Sequence, residues 1–223
     1  MQTYFHHQMK KEKNTQNYHD YLKIDSLLQS QVLLSEKNGK KAHDEMLFII
    51  THQVYELWFK QILFELDSIF EVFDRDLIGE SRVATAVGRL ERINVIQQLL
   101  IDQIKILETM TPMDFLDFRD LLTPASGFQS AQFRMIENKI GLHKENRLRF
   151  GGTDYKDKIH SQQLDKVKKS EDSKSLFDLV EEWLERTPFL DFDNFNFWDQ
   201  YKIAVDKMIS NDKSIIEMNE NLS

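Results

Sequence analysis

The chain has 223 residues, and 29 Lys and Arg against 37 Asp and Glu give it a formal net charge of −8 at pH 7. Such an acidic chain lacks the basic surface of a nucleic-acid-binding protein, and its lack of cysteine excludes disulfides and thiolate metal sites and fits a cytoplasmic location. With only 7 Gly and 3 Pro, few turns are expected, so we predict an all-α fold, a helical bundle of long antiparallel helices.

The first half of the chain is predicted to be helical after a short polar start. Residues 1–17 lack the apolar run of a secretory signal and are predicted to form a mobile segment, followed by a single helical domain over 18–223. Apolar residues at helical spacing predict a helix within 18–31, and a loop surrounds Gly39. Two long helices are then predicted, and Thr111-Pro112 predicts the start of a shorter one, with Thr as N-cap. Their predicted ranges are His43 to Asp74, Arg82 to Glu108, and 112 to Leu122.

The second half contains shorter predicted elements. A loop at 123–127 precedes a helix over 128–140, for which Gly141 is the predicted C-cap. The charged residues 142–172 are predicted to form a loose connection with one or two short helices. Beyond it we predict a helix over 175–186, an aromatic-acidic loop at 189–198 and a last helix over about 195–219. No apolar run is long enough to cross a membrane.

Several known site motifs are absent from the sequence. There is no Gly-rich phosphate loop and no HExxH zinc motif. A carboxylate-bridged di-metal bundle needs Glu-x-x-His on two helices, and no histidine here has Glu three residues earlier. Asp157 before His160 is the nearest approach. No metal ligand is therefore assigned from the residues.

The first long helix carries one histidine in an aromatic setting. Phe48, His52, Tyr55 and Phe59 fall at i, i+4, i+7 and i+11, which is one helical face. A histidine between aromatic neighbours on a buried face is either a hydrogen-bonded core residue or part of a ligand pocket. The residues alone leave both readings open.

A second candidate site is the loop TPASGFQSAQFR together with the arginine just before it. Backbone N–H groups at the start of the following helix suit an anion, and Arg119 suits a carboxylate. The alternative is structural: the serines would cap a helix, and Arg119 would pair with Asp120.

Three segments, in this order and spacing, resemble tryptophan 2,3-dioxygenases: YHDYLKIDSLLQSQ, HDEMLFIITHQVYELWFKQ and FRDLLTPASGFQSAQFRMIENKIG. The resemblance is dense over residues 18–141 and weaker beyond. Members of that family are helical, haem-dependent, homotetrameric enzymes. They use O₂ to open the indole ring of L-tryptophan to N-formylkynurenine, the first step of the kynurenine pathway.

The resemblance also implies roles for individual residues. His52 matches a catalytic histidine that hydrogen-bonds the indole N–H, and Arg119 matches the arginine that grips the substrate carboxylate. Phe115 stands where many family members have tyrosine, so the packing is kept and a hydroxyl is lost. Ser126 and Gly127 match a cofactor-binding loop next to the haem. The other residues matching substrate-binding positions are Phe48, Ile49, Ile50, Thr51 and Leu122, with Tyr18, Tyr21 and Leu22 from a helix that reaches a neighbouring subunit's site.

One departure from the family concerns the haem iron, which needs a proximal ligand, most often histidine. The C-terminal pattern that supplies it in the family is not found, so the chain resembles the N-terminal two-thirds of such an enzyme. Three hypotheses follow. The chain is part of the enzyme, or it is a truncated, inactive helical remnant that binds an indole or assembles with full-length subunits, or it is a helical interaction module without a ligand.

Overall fold

In the computed structural model, residues 17–75, 78–142, 146–147, 155–186, 191–192 and 195–217 are described. They confirm the all-α prediction, since ten α-helices account for most of the described residues and two two-residue strands are added. None of the helices in these ranges is long and apolar enough to cross a membrane. The helices are Tyr18–Leu22 (α1), Ile24–Leu28 (α2), Leu34–Lys37 (α3), Glu45–Phe73 (α4), Glu80–Leu107 (α5), Pro112–Leu122 (α6), Ala131–Ile140 (α7), Ser161–Asp172 (α8), Leu176–Glu185 (α9) and Phe197–Glu217 (α10).

The described residues fall into two compact units. One is drawn from residues 1–54 and 103–125, and the other from residues 55–102 and 126–223. The first unit contains α1 to α3, the start of α4, the end of α5, and α6. The second contains the rest of α4 and α5 and the helices from α7 onward.

In the second unit, α4 and α5 run antiparallel, as their hydrogen bonds show. The Tyr55 hydroxyl donates to the Leu100 carbonyl at 2.5 Å, and burial raises the pKa of this tyrosine. Further along, Arg92 donates to Glu65 at 2.6 Å and Arg89 donates to the Ser68 carbonyl at 3.0 Å. From the first to the last of these pairs, the residue number rises in α4 and falls in α5, which is the pattern of antiparallel helices. Twelve buried apolar residues form the core there: Ile62, Leu63, Leu66, Ile69, Val72, Phe73, Ala86, Ile93, Ile96, Leu100, Ile136 and Leu179.

Gly141 ends α7 in the second unit, as predicted. Its φ of 98° is in the left-handed region, which favours glycine. A Cβ at this position would also lie 2.9 Å from the Phe177 Cβ and 3.0 Å from the Ser175 Oγ. Ser175 itself caps α9 through Asp178. The close approach of α7 and α9 therefore depends on this glycine.

In the first unit, a buried glutamate joins α3 to the start of α4. The Glu45 residue is 1% exposed, and its carboxylate accepts from the Leu34 N–H at 2.7 Å, the Ser35 N–H at 2.9 Å and the Ser35 hydroxyl. Burial alone would raise the pKa of Glu45, but these hydrogen bonds outweigh it and hold the pKa below its ordinary value. The Ser35 hydroxyl also accepts from the Ala42 N–H at 2.9 Å. This network fixes where α4 begins.

Several predicted boundaries need correction. The helix predicted within 18–31 is two short helices, because Lys23 adopts a left-handed φ of 54° between them. The helix predicted to begin at Phe128 begins at Ala131, capped by Ser130, after a 3₁₀ turn at Gly127–Gln129. The connection predicted over 142–172 contains a helix of 12 residues, α8, whose Val167 is fully buried.

The aromatic-acidic loop predicted at 189–198 is also corrected in part. It contains two short antiparallel strands, Asp191–Phe192 (β1) and Phe195–Asn196 (β2). Residues 187–190 and 193–194, and the segment predicted to be mobile except Asn17, lie outside the described residues.

Candidate functional site

Three phenylalanines form the centre of an aromatic cluster in the first unit. Phe48 comes from the first turns of α4, and Phe115 and Phe118 come from one face of α6, three residues apart. The Phe48 ring lies 5.8 Å from that of Phe115 and 5.6 Å from that of Phe118, centroid to centroid, and the two α6 rings lie 5.4 Å apart, edge to face. Phe118 is only 1% exposed, while Phe48 and Phe115 are half-buried. The cluster is therefore anchored at Phe118 and open at the other two rings.

His52 lies on the accessible side of this cluster. Its ring centroid is 4.1 Å from that of Phe48, one turn earlier in α4, and its Nδ1 lies 2.7 Å from the Phe48 carbonyl oxygen. A carbonyl only accepts, so in the neutral ring Nδ1 carries the hydrogen and Nε2 keeps a lone pair. The side chain is exposed. The core-histidine reading of the sequence is therefore wrong, and His52 can accept a hydrogen bond from a ligand.

Arg119 follows Phe118 directly and brings a positive charge to the same helix. Its guanidinium carbon lies 6.0 Å from the Phe115 ring centroid, within the range of a cation–π contact. The side chain is exposed, as a group that meets a charged ligand must be. A half-buried aromatic surface with an imidazole acceptor and a guanidinium can bind a flat apolar ring that carries a carboxylate.

Hydrogen bonds and an ion pair hold the first half of α6. Thr111 caps the helix as predicted, and it forms a capping box with Asp114. The Thr111 hydroxyl and backbone N–H donate to this carboxylate, and they lower the pKa of Asp114. Lys40, from the segment between α3 and α4, is 2.9 Å from Asp117. Arg119 therefore lies on a helix whose N-terminus is capped and whose middle is tied to the segment before α4.

The other residues expected near a substrate have different degrees of exposure. Thr51 is buried, while Ile49 and Leu122 are half-buried. Ile50 is exposed, as are the three residues expected from the N-terminal helix, Tyr18, Tyr21 and Leu22. The chain just after α2 is tied to α4 beside His52, since Gln31 donates to Gln53 at 2.5 Å and Gln53 donates to the Ser30 carbonyl at 3.3 Å.

Ser126 and Gly127, expected beside a cofactor, belong to the second unit and are exposed. The Ser126 Oγ accepts from the Phe128 N–H at 3.3 Å, and Gln129 accepts from the Ser126 N–H at 3.1 Å. Ser130 likewise accepts from the Phe133 N–H. Both serines therefore cap a helix, as the structural alternative in the sequence analysis predicted.

Comparison with known proteins settles the family. The sequence model of tryptophan 2,3-dioxygenase matches residues 4–222 of the chain. The tryptophan 2,3-dioxygenase of Bdellovibrio bacteriovorus is 52% identical over 206 residues, that of Anopheles gambiae is 50% identical over 195, and tryptophan 2,3-dioxygenase B of Danio rerio is 47% identical over 204.

The chain belongs to the tryptophan 2,3-dioxygenase family. This confirms the resemblance found in the sequence. These matches cover 92%, 86% and 91% of the chain, but only 57%, 50% and 50% of the respective relatives. The chain therefore spans little more than half the length of the tryptophan 2,3-dioxygenases that it matches.

Two residues that shape this site were missed by sequence reasoning. Phe118 was read only as the neighbour of Arg119, although its spacing from Phe115 and Leu122 already placed it on the same face of α6. Glu45 carried no sequence signal beyond a glutamate in the first turn of a helix, because its partners lie 10 and 11 residues earlier. Phe118 contacts both Phe48 and Phe115, and Glu45 fixes the start of α4, the helix that carries Phe48 and His52.

Proposed function

We propose that this chain forms the substrate-binding part of a haem-dependent tryptophan 2,3-dioxygenase, which opens the indole ring of L-tryptophan with O₂ to give N-formylkynurenine, the first step of the kynurenine pathway. The observation that carries the proposal is the grouping of His52, Phe48 and Phe115 around Phe118, with Arg119 over the Phe115 ring. Family membership supports the reaction, and the side chains of the first unit suit this substrate.

Three parts of L-tryptophan, the indole ring, the indole N–H and the carboxylate, have a chemical counterpart in this group. The indole ring is flat and apolar, and the half-buried Phe48 and Phe115 rings offer it an aromatic surface. The indole N–H is a donor, and His52 Nε2 is free to accept it because Nδ1 is engaged by the Phe48 carbonyl. The substrate carboxylate suits the Arg119 guanidinium, which can bind it through two parallel hydrogen bonds.

Haem would supply the iron chemistry that activates O₂. The residues fit the substrate side of such a site, but no proximal ligand for the iron is assigned to the described residues. Four histidines are described: His52 contacts the aromatic cluster and is proposed to bind the indole, His160 caps α8, His19 lies 3.4 Å from Asp25, and His43 is exposed just before α4. We place the proximal ligand on the part of the family's length that the chain does not match. Ser126 and Gly127 remain the residues proposed to lie next to the haem.

A homotetramer is proposed from the family resemblance, and the exposed residues of α1 agree with it. Tyr18, Tyr21 and Leu22 are apolar or aromatic and face solvent in the single chain. In the proposed assembly they reach the site of a neighbouring subunit. A cytoplasmic location is proposed with it, in keeping with a chain that has no cysteine.

The carboxylate contact can be tested with a pair of ligands. Tryptamine has the indole and the amine of tryptophan but no carboxylate. The chain, supplied with haemin and with the part of the Bdellovibrio relative that lies outside the match, is titrated with each ligand by calorimetry. Arg119→Ala should weaken L-tryptophan binding by about tenfold or more, since a charge-assisted hydrogen bond contributes about 1.5–3 kcal/mol. Tryptamine binding should change by less than about twofold.

The matched control is Arg82→Ala, which removes an exposed arginine from α5. It should leave both affinities unchanged. An equal loss for the two ligands in Arg119→Ala would show that the arginine does not bind the carboxylate. Failure of the parent chain to bind L-tryptophan under these conditions would contradict the proposed function as a whole.

A further inference from the structure

The last helix presents an apolar face to solvent. No α10 side chain from 197 to 214 is buried. At 100° per residue, six residues between 197 and 209 fall within an arc of about 120°, which makes one stripe. The members of this stripe, called here the α10 stripe, are Phe197, Trp198, Tyr201, Val205, Met208 and Ile209.

The first turn of the α10 stripe is an ordered aromatic surface. The Phe197 and Tyr201 rings stack with centroids 5.9 Å apart and planes at 17°, and Trp198 meets each of them edge to face at 5.3 and 6.1 Å. All three side chains remain exposed despite these contacts. A contiguous aromatic and aliphatic face of this kind is typical of an interface rather than of free surface.

The length of the relatives indicates what covers the α10 stripe. The family match runs to residue 222, so α10 is an element of the family and not an addition to it. Yet 43% to 50% of the length of each relative lies outside its match to this chain, since the matches cover 57%, 50% and 50% of the relatives. A helix that exposes its apolar face needs a partner, and the unmatched half of the family's sequence is a large source of one.

We propose that the α10 stripe is the docking surface for the segment that family members carry outside the stretch matched here, and that this segment packs on it as an amphipathic helix. The surface is the same whether that segment is joined to this chain or comes as a separate polypeptide. The inference rests on family membership and not on the proposed activity, because neither haem nor tryptophan takes part in it.

The chain offers a matched pair of variants. Ile209 lies in the α10 stripe and is 55% exposed, and Ile203 lies outside it, about 120° away around the helix, and is 59% exposed. Ile209→Glu and Ile203→Glu therefore make the same chemical change at similar exposure, one inside the α10 stripe and one outside it. Each variant alone should keep the far-UV circular dichroism of the parent, since neither side chain is buried.

The binding test is co-expression of the full chain with the longest stretch of the Bdellovibrio relative outside its 206 matched residues, with the affinity tag on that stretch only. The parent and Ile203→Glu should co-purify with it at a ratio of one to one. Ile209→Glu should lower the recovered chain by about tenfold or more, because it places a charge in an apolar contact.

Three results would overturn the proposal. The parent chain does not co-purify, or the two glutamate variants co-purify equally, or light scattering of the chain alone shows an oligomer that Ile209→Glu dissociates. The last result would mean that a second copy of this chain covers the α10 stripe. The co-purification uses neither haemin nor L-tryptophan, so its failure can be told apart from a failure of the tryptophan titration.

Discussion

Replacing Glu45 should release the start of α4 from α3. The carboxylate accepts three hydrogen bonds, from two backbone N–H groups and the Ser35 hydroxyl. Glu45→Ala leaves these three donors without their acceptor, two of them on the buried Ser35, and hydrogen bonds to a charged group contribute about 1.5–3 kcal/mol each. Part of that sum offsets the cost of burying the carboxylate, so we expect a loss of about 3 kcal/mol in the free energy of unfolding. Glu45→Gln keeps the shape and one acceptor oxygen and should lose about half as much.

The pH dependence of stability shows how much of the effect of Glu45 comes from its charge rather than from its shape. Because the pKa of Glu45 is below its ordinary value of 4.5, its carboxylate stabilises the folded chain fully above about pH 4.5. That contribution is lost as the pH falls through the lowered pKa. The difference between the parent and Glu45→Gln should therefore be constant from pH 7 to pH 5 and shrink below.

The measurement is urea unfolding followed by far-UV circular dichroism at a series of pH values, with the midpoint compared at an unchanged m value. Ser35→Ala provides the partner for a double-mutant cycle, since its hydroxyl donates to the same carboxylate. Equal midpoints for the parent and Glu45→Gln at pH 7, or a difference that persists undiminished to pH 3, would refute this account of the network.

Two further predictions concern the second unit, and both are read from the same urea titration at pH 7. The Tyr155 hydroxyl is buried and has no hydrogen-bond partner among the described residues, so Tyr155→Phe should keep or raise stability, by up to about 1 kcal/mol; a clear loss would reveal a partner. Arg186 donates to the Phe73 and Arg75 carbonyls at 2.7 Å each and so caps the end of α4, and Arg186→Ala should cost about 1–3 kcal/mol. Both bonds come from the one Nη2 nitrogen, and a lysine ammonium also carries several N–H donors on one nitrogen, so Arg186→Lys should be more stable than Arg186→Ala and at most as stable as the parent. A lysine variant as unstable as the alanine variant would argue against a role through hydrogen bonds.

Local signals in the sequence predicted the elements that depend on neighbouring residues. The long apolar repeat predicted α4 within two residues of its observed ends, and Thr111-Pro112 and Gly141 predicted a helix start and a helix end that the structure confirms. In each case the deciding contact lies within four residues along the chain. The helix boundary at Lys23 was not predictable in this way, because no glycine or proline marks it.

In the candidate site, too, the sequence predicts what depends on local spacing and not what depends on tertiary contacts. The face shared by Phe48 and His52 follows from helical spacing, and so does the face shared by Phe115, Phe118 and Arg119. The contact between these two faces is tertiary, so helical spacing alone does not predict it. The family resemblance did, because it assigned residues of both faces to one substrate site. The exposure of His52 was likewise out of reach, since the apolar residues around it predict a buried ring.

The position of Phe118 affects how the substrate range of such a pocket can evolve. The ring is enclosed by protein and contacts both Phe48 and Phe115, so any change in its volume alters both of the rings proposed to bind the indole. Phe48 and Phe115 each have an open side and can be exchanged with less disturbance. We therefore expect selection for a different ring-bearing substrate to change Phe48 and Phe115 first and to keep Phe118.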